Sequence, residues 1–241
     1  MPKHVFFDLD NTLMLSRTFM TAEHAPLFKK LSEEKDVIVV SGAQASQIHA
    51  QIPESVGARF YILGQTGNQA IDKDGRMLWQ EKFTDEQTRA IYNVIEIMKK
   101  EFDSAVKDPN DLIENRGSQI SYSPIGHHEV LEKKYAFDPG DTKRLAVIAR
   151  HKGEIEQLQK MGVDVVPGGT TCFDFFLAGR NKGFNIARFI EQKGWAKEHC
   201  VYVGDALFPG GNDATVIGTI ATRAVKNPDE TFEFVQTILA A

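Results

Sequence analysis

His4-Val5-Phe6-Phe7-Asp8-Leu9-Asp10-Asn11-Thr12-Leu13 is the stretch on which the fold turns. An unbroken apolar run ends in two aspartates two positions apart, followed by a turn residue and a threonine. Alternate side chains of a strand point the same way, so Asp8 and Asp10 leave its carboxyl end close together. A strand that is apolar on both faces belongs in a parallel sheet covered on both sides. In open parallel sheets, ligands bind just beyond the carboxyl ends of the strands. Two carboxylates gathered there are costly unless positive charge joins them, and a divalent cation with a phosphoryl group is the simplest answer.

Outward from this strand the chain alternates. A surface helix is expected over 22–33, a strand over 36–40 ending at Ser41-Gly42, a helix over 44–51 beginning near Ser41, and a strand over 60–63. Lys73-Asp74-Gly75 marks a turn between two further strands. Thr84-Asp85-Glu86 then opens a helix, with Ile91, Val94, Ile95 and Met98 at helical spacing. A strand over 111–124, a long helix over 140–161 and strands over 163–167 and 172–178 follow. Helix 183–193, strand 200–204, an extended segment over 216–222 and helix 229–239 complete the chain. Strand–helix alternation at both ends predicts one doubly wound α/β domain, residues 1–81 with 182–241, and residues 82–181 have the composition of an inserted α+β cap.

Three further segments bear on the chemistry. Val201-Tyr202-Val203-Gly204-Asp205 ends a strand in Gly-Asp, and Pro209-Gly210-Gly211-Asn212-Asp213 delivers a second acid on a glycine-rich loop. Mg²⁺ takes few carboxylates plus waters and phosphate oxygens, a set that Asp8, Asp205 and Asp213 can supply. Ser41 follows a strand and precedes a helix, where a hydroxyl and free N–H groups suit phosphate; alone it reads as a helix cap. Lys182 precedes a helix and can neutralise a phosphate; alone it reads as a solvated surface lysine.

The bulk numbers narrow the classes. The 241 residues carry 42% hydrophobic and 25% charged side chains, as in an ordinary globular protein. A net charge of −5 argues against a broad nucleic-acid surface. Two cysteines, Cys172 and Cys200, are too few for a disulfide framework and fit a reducing cytoplasm. No apolar run approaches the ~20 residues of a membrane span, and no signal-peptide pattern is seen.

Together, Asp8-Leu9-Asp10-Asn11-Thr12, Ser41, Lys182 and Gly204-Asp205 with Asn212-Asp213 resemble the four motifs of the haloacid dehalogenase superfamily of phosphotransferases. The resemblance covers the whole chain. It implies a doubly wound, mostly parallel Rossmann-like core with an inserted α+β cap of type C2, subfamily IIB. Within that superfamily the chain most resembles eukaryotic-type phosphomannomutases. Residues Asn115-Arg116-Gly117 through Ser123-Pro124-Ile125-Gly126, Gly168-Gly169-Thr170-Thr171-Cys172-Phe173-Asp174-Phe175, and 204–213 carry this likeness. Two departures stand in the cap: His127 where the family has Arg after Pro-Ile-Gly, and Cys172 where it has Ser. A further cap arginine of the family has no clear counterpart, although Lys133 and Lys134 are near.

The resemblance implies that Asp8 attacks phosphorus and becomes an aspartyl phosphate, while Asp10 serves as acid and then base. It implies Mg²⁺ on Asp8, the Asp10 carbonyl and Asp205, with Asp213 a ligand or an orienting group. Ser41 and Lys182 hold the transferring oxygens, and Thr12 supports the loop through a hydroxyl hydrogen bond. Gly42, Thr12 and Asn212 from the core, and Arg116, Cys172 and Asp174 from the cap, are candidate substrate contacts. Arg116 also reads as a structural ion pair, Asp174 as a strand-end turn, His127 and His128 as loop histidines, and Phe173, Phe175 and Phe176 as cap core. The expected activity is a Mg²⁺-dependent phosphatase on a small phosphorylated metabolite, a sugar phosphate. The alternative is a phosphomannomutase. A non-catalytic sugar-phosphate-binding protein is a third class, against which the intact acid and lysine set argues. The expected location is the cytoplasm, with no nucleic-acid or membrane partner, and the family resemblance suggests a homodimer through the cap.

Overall fold

The structure, a computed structural model, describes residues 1–16, 18–102, 106 and 108–240. In chain order the elements are β1 (His4–Phe7), α1 (Ala25–Glu34), β2 (Asp36–Val40), α2 (Ala45–Gln51), β3 (Tyr61–Gly64), β4 (Gln69–Ile71) and β5 (Met77–Gln80). Then come α3 (Asp85–Lys99), β6 (Ile113–Asn115), β7 (Gln119–Tyr122), α4 (Leu131–Phe137), α5 (Thr142–Arg150), α6 (Lys152–Lys160), β8 (Val163–Gly168) and β9 (Cys172–Leu177). The chain ends with α7 (Lys182–Lys193), β10 (Cys200–Gly204), β11 (Ala221–Ala224) and α8 (Pro228–Leu239). Two compact units result: Met1–Gln80 with Arg180–Ala241, and Glu81–Gly179.

In the first unit seven strands among the described residues form one sheet, in the order β11-β10-β1-β2-β3-β4-β5. The pairs from β11 to β3 are parallel and the last two antiparallel. The two-residue period of the strands divides their apolar side chains between two cores. Val5, Phe7, Val37, Val39, Val201 and Val203 pack on one face with Phe28 and Leu31 of α1, Ile48 of α2 and Phe232 and Val235 of α8. Phe6, Ile38, Val40, Cys200 and Tyr202 pack on the other with Ile186, Phe189 and Ile190 of α7. From β1 to β5 the strands step outward in chain order, and after the inserted unit the chain returns so that β10 lands on the far side of β1. The crevice of such a doubly wound sheet opens at the carboxyl ends of β1 and β10.

The second unit is a four-stranded antiparallel sheet among the described residues, in the order β6-β7-β9-β8. One face buries Ile120, Tyr122, Val163, Val165, Phe173 and Phe175 against Ile91, Val94, Ile95 and Met98 of α3, Val147 of α5 and Ile155 and Leu158 of α6. By register the other face carries Glu114, Ser121 and Asp174 side by side. Arg144 of α5 is fully buried. Its Nε donates to Asp138 Oδ2 at 2.9 Å, and its Nη1 to the carbonyls of Gly168 at 2.8 Å and Cys172 at 2.9 Å. The guanidinium's fixed fork of N–H donors, set against carboxylate and carbonyl oxygens, clamps the β8–β9 turn.

Several sequence expectations are corrected. The helix expected over 140–161 is two helices broken at His151, whose Nε2 lies 3.0 Å from Glu101 Oε1, with Gly153 weakening the next turn. Gly140 and Asp141 take left-handed backbone ahead of α5. The strand expected over 111–124 is a hairpin of β6 and β7 turned at Gly117, φ 90°. Gln44, not Ser41, caps α2, through a reciprocal pair of hydrogen bonds with Gln47. Gly218, at φ 86°, holds back the segment expected over 216–222, and β11 begins at Ala221. Phe176 is half-buried and alternates away from the apolar face that holds Phe175.

Candidate active site

The carboxyl edge of the sheet gathers the acids. Phe7 pairs with both Val203 of β10 and Val39 of β2, and the Asp8 N–H donates to the Val203 carbonyl at 2.9 Å. Asp8 and Gly204-Asp205 therefore leave the sheet side by side, and Ser41 leaves β2 at the same end. Lys182 opens α7, which is capped by Asn181 accepting from the Phe184 N–H. Packing of α7 on the Phe6–Tyr202 face brings its first turn to this edge. Gly204 has no room for a side chain, since a Cβ there would stand 2.3 Å from Asp213 Oδ2.

The centre is a buried charge cluster. Lys182 Nζ, 2% exposed as a residue, donates to Asp8 Oδ1 at 2.5 Å and to Asp213 Oδ1 at 2.7 Å. The Tyr202 hydroxyl donates to Asp213 Oδ1 at 2.6 Å and accepts from Lys182 Nζ at 3.3 Å. The Ala206 N–H donates to Asp213 Oδ2 at 3.2 Å, so both oxygens of Asp213 are engaged. Burial lifts the Asp8 carboxyl to about 6; Lys182 pulls it down, and Asp213 and Asp205 push it further up. Burial and the Asp213 charge also raise Asp205. Burial would lower Lys182, but the attraction of Asp8 and Asp213 overcomes it and the net shift is upward. Burial and the surrounding acids hold the Tyr202 hydroxyl well above its ordinary value, so it stays a donor.

Three carboxylates thus face one ammonium. One oxygen from each of Asp8, Asp205 and Asp213 falls within a sphere of mutual distances under 4.8 Å. Hard oxygen donors, close together and short of positive charge, fit Mg²⁺. Asp213 already accepts from Lys182, Tyr202 and a backbone N–H, which leaves Asp8 and Asp205, with fewer such bonds, as the more available carboxylates.

The other expected core residues stand around this cluster. Ser41 is buried, its Oγ accepting from the Ala43 N–H at 3.1 Å. A Cβ on Gly42 would meet nothing within 4 Å, leaving open space beside Ser41. Asp10 is half-buried and bridges to Met14. Asn212 is exposed beside the buried Asp213. Thr12 does not support its loop as expected: its Oγ1 is buried and has no hydrogen-bond partner among the described residues. The turn is held instead by the Leu13 N–H to the Leu9 carbonyl at 3.0 Å and by the Asn11 side chain, which accepts from Ser16 N–H and bonds Asp205. A buried hydroxyl without a described partner, four residues after Asp8, suits a polar ligand.

Sequence reading missed Tyr202, because a tyrosine inside an apolar strand looks like core. It also missed Asn185, whose amide donates to the Thr66 carbonyl at 3.0 Å and the Arg180 carbonyl at 3.2 Å. Thr66 N–H in turn donates to the Ser41 carbonyl at 2.8 Å, so the serine loop and the start of α7 share one network. Replacing Tyr202 by Phe removes one hydrogen bond to Asp213 in a buried site. The expected result is a loss of ~1–3 kcal/mol of stability and a several-fold fall in kcat with KM unchanged, read by thermal melting and steady-state kinetics.

In the second unit the expected contacts Arg116, Cys172 and Asp174 form one polar network. Ser121 Oγ donates to Asp174 Oδ1 at 2.5 Å. Arg116 Nη2 donates to Glu114 Oε2 at 2.6 Å. His127 Nδ1 lies 3.8 Å from Cys172 Sγ and 3.9 Å from Glu114 Oε1. The ion-pair reading of Arg116 therefore holds, and Asp174 sits within β9 rather than in a turn. His127 is half-buried, whereas His128 is exposed and bonded to Asp111.

Comparisons with known proteins agree with this geometry. The sequence profile of the eukaryotic phosphomannomutase family matches residues 25–241. A phosphomannomutase of Triticum aestivum is 26% identical over 245 residues, covering 96% of this chain and 93% of that one. Phosphomannomutase 1 of Dictyostelium discoideum is 25% identical, covering 96% and 94%. A haloacid dehalogenase-like hydrolase from Bacteroides thetaiotaomicron superposes with a TM-score of 0.70 at 15% identity, covering 99% of this chain and all of that one. The IMP-nucleotidase of Plasmodium falciparum gives 0.70 at 18% identity, covering 99% and 61%. At such identities the solved structures speak for the fold, a haloacid dehalogenase core with a cap. With a family profile spanning most of its length and a buried aspartate–lysine cluster at the crevice of a haloacid dehalogenase-like fold, the chain belongs to the eukaryotic phosphomannomutase family and is an enzyme of the phosphotransferase type.

Proposed function

We propose that this enzyme is a Mg²⁺-dependent phosphatase of a small phosphorylated sugar, working through an aspartyl phosphate on Asp8. The Asp8–Lys182–Asp213 cluster supports the transfer itself. A carboxylate oxygen of Asp8 attacks phosphorus in line; the new P–O bond forms as the bond to the leaving alcohol breaks. Asp10 gives its proton to that alcohol and later takes one from the attacking water. Lys182 neutralises Asp8 and the transferring oxygens, the Ser41 hydroxyl donates to them, and Asp213 with Tyr202 fixes the ammonium in place. Asp8, Asp205 and the Asp10 carbonyl would hold Mg²⁺, which when bound lowers the repulsion between nucleophile and phosphate.

The choice of water as acceptor rests on one observation in the cap. A mutase that moves phosphate within a sugar must also grip a second phosphate, a task for free guanidinium forks. Here Arg116 is committed to Glu114 at 2.6 Å, and His127 is committed to Cys172 and to the Ser121 carbonyl at 3.2 Å. A second reading, phosphomannomutase, is favoured by the names of the relatives that match across nearly the whole chain. Phosphorus NMR of mannose 1-phosphate with Mg²⁺ and a trace of the bisphosphate separates the two. Inorganic phosphate is the expected product; mannose 6-phosphate without phosphate release overturns the hydrolase and establishes the mutase.

A further inference from the structure

We propose that Cys172 is a nucleophilic thiol activated by His127, and that small hydroperoxides oxidise it to a sulfenic acid. The argument begins with the imidazole. Its Nε2 lies 3.2 Å from the Ser121 carbonyl, which can only accept, so Nε2 carries the hydrogen in the neutral ring. That leaves the Nδ1 lone pair on the side of Cys172 Sγ, 3.8 Å away. The thiol proton can therefore pass to Nδ1, giving a thiolate beside an imidazolium that keeps its bond to Ser121.

The surroundings favour the ion pair. Glu114 Oε1 is 3.9 Å from Nδ1, and Arg116 is held by the same carboxylate at 2.6 Å. Thr171 Oγ1 stands 3.7 Å from the sulfur, while the single proton of the Ser121 hydroxyl goes to Asp174. Asp174 opposes the thiolate, while Arg144 meets the Cys172 carbonyl at 2.9 Å and Lys134 the His127 carbonyl at 2.8 Å. Burial would raise the thiol, yet the bond to His127 and the imidazolium charge bring it below its ordinary value, and His127 is raised in return. Cys172 is half-buried rather than enclosed. Cys200 offers an internal reference: it is buried, bonded to the Ala196 carbonyl at 3.5 Å and pushed up to about 11 by burial.

The step balances. The thiolate attacks one peroxide oxygen; the S–O bond forms as the O–O bond breaks, sulfur losing two electrons and the peroxide gaining them. The imidazolium proton goes to the departing hydroxide or alkoxide as water or alcohol. The only other cysteine of the chain is Cys200, so a thiol from solution restores the sulfur.

The test uses the full chain with hydrogen peroxide and dimedone at pH 7, mapped by peptide mass, and the pH dependence of iodoacetamide alkylation. Cys172 is expected to take dimedone while Cys200 does not. Its alkylation is expected to inflect below the ~8.5 of a free cysteine. His127→Asn is expected to slow alkylation about tenfold at pH 7 and to raise the inflection. An inflection at or above that of a free cysteine, an absence of dimedone adduct on Cys172, or an unchanged rate in His127→Asn each overturns the proposal; if the variant does not fold, the wild-type profile decides. Oxidation is also expected to slow turnover, a consequence that rests on Cys172 being one of the substrate contacts that the family resemblance implies. Mass and alkylation do not read turnover, so the two readings fail separately.

Discussion

Asp8→Asn is expected to lower kcat by ~10⁴-fold or more, the scale seen when a covalent nucleophile is removed, while raising the melting temperature of the metal-free protein. The first half follows from chemistry, since an amide does not form the acyl phosphate. The second follows from the environment. Asp8 is 4% exposed, and burial with the nearby Asp213 and Asp205 lifts its carboxyl to about 6 despite Lys182 at 2.5 Å. A folded-state value above the ordinary carboxyl value of 3.8 means that the ionised form is disfavoured in the fold at neutral pH. The gap corresponds to at most ~3 kcal/mol, and a neutral isostere escapes it. The linkage also has a definite sign. This carboxyl costs stability at pH 7, and the cost is relieved as pH falls from about 6 toward 3.8, where the folded state holds a proton that the unfolded state does not. The variant therefore loses that part of the pH dependence. Calorimetry between pH 4 and 8 with and without Mg²⁺, beside a phosphate-release assay, checks both halves. Undiminished phosphate release from purified Asp8→Asn removes Asp8 from the role of nucleophile.

The second large effect has the opposite sign for stability. Lys182→Met leaves Asp8 and Asp213 buried without the ammonium that joins them at 2.5 and 2.7 Å. Breaking a buried pair from one side typically costs ~3–5 kcal/mol, which at ~2–4 °C per kcal/mol for a chain of this size lowers the core's melting temperature by roughly 6–20 °C. Turnover is expected to fall by ~10²–10³-fold, as when one preorganised donor to a developing oxyanion is lost. The double variant Asp8→Asn/Lys182→Met separates the causes. With one of the two stranded carboxylates neutralised, the melting temperature is expected to recover in part while activity stays absent. A double variant no more stable than Lys182→Met alone would show that packing of the lysine stem, not charge, sets the cost.

How much of this was legible beforehand depends on what each residue had to reveal. The opening strand was readable because an apolar run that ends in two acids contradicts itself unless a site lies at its end. The same logic exposed Asp205 and Asp213, where glycines bring acids to a strand terminus. Lys182 could be singled out only through its order relative to these motifs, because a lysine at a helix start carries no mark of burial. Tyr202 left no trace, since its ring satisfies an apolar strand and only the partner Asp213 reveals the hydroxyl's use. Arg144 was hidden for a related reason: in an amphipathic helix it has the pattern of a solvent-facing charge, and its carbonyl partners come from the distant β8–β9 turn. The break at His151 and the hairpin at Gly117 were missed because a long apolar periodicity runs through the first and alternation through the second. In both cases a single backbone position outweighs the average of its neighbours.

The sheet order has a consequence for how the protein is made. β1 leaves the ribosome long before β10, one of its two neighbours, which follows the whole inserted unit. Asp8 and its partner Lys182 are 174 residues apart in the chain. At the usual ~5–20 residues per second, the nascent aspartate waits roughly 10–35 s before its counter-ion is synthesised. Through that interval the second flank of β1 has no strand to pair with, whereas Glu81–Gly179, continuous in sequence, can complete its own sheet. Residues 1–80 are thus the segment most exposed to mispairing during translation, and the crevice beside β1 closes only when residues 180–241 have emerged.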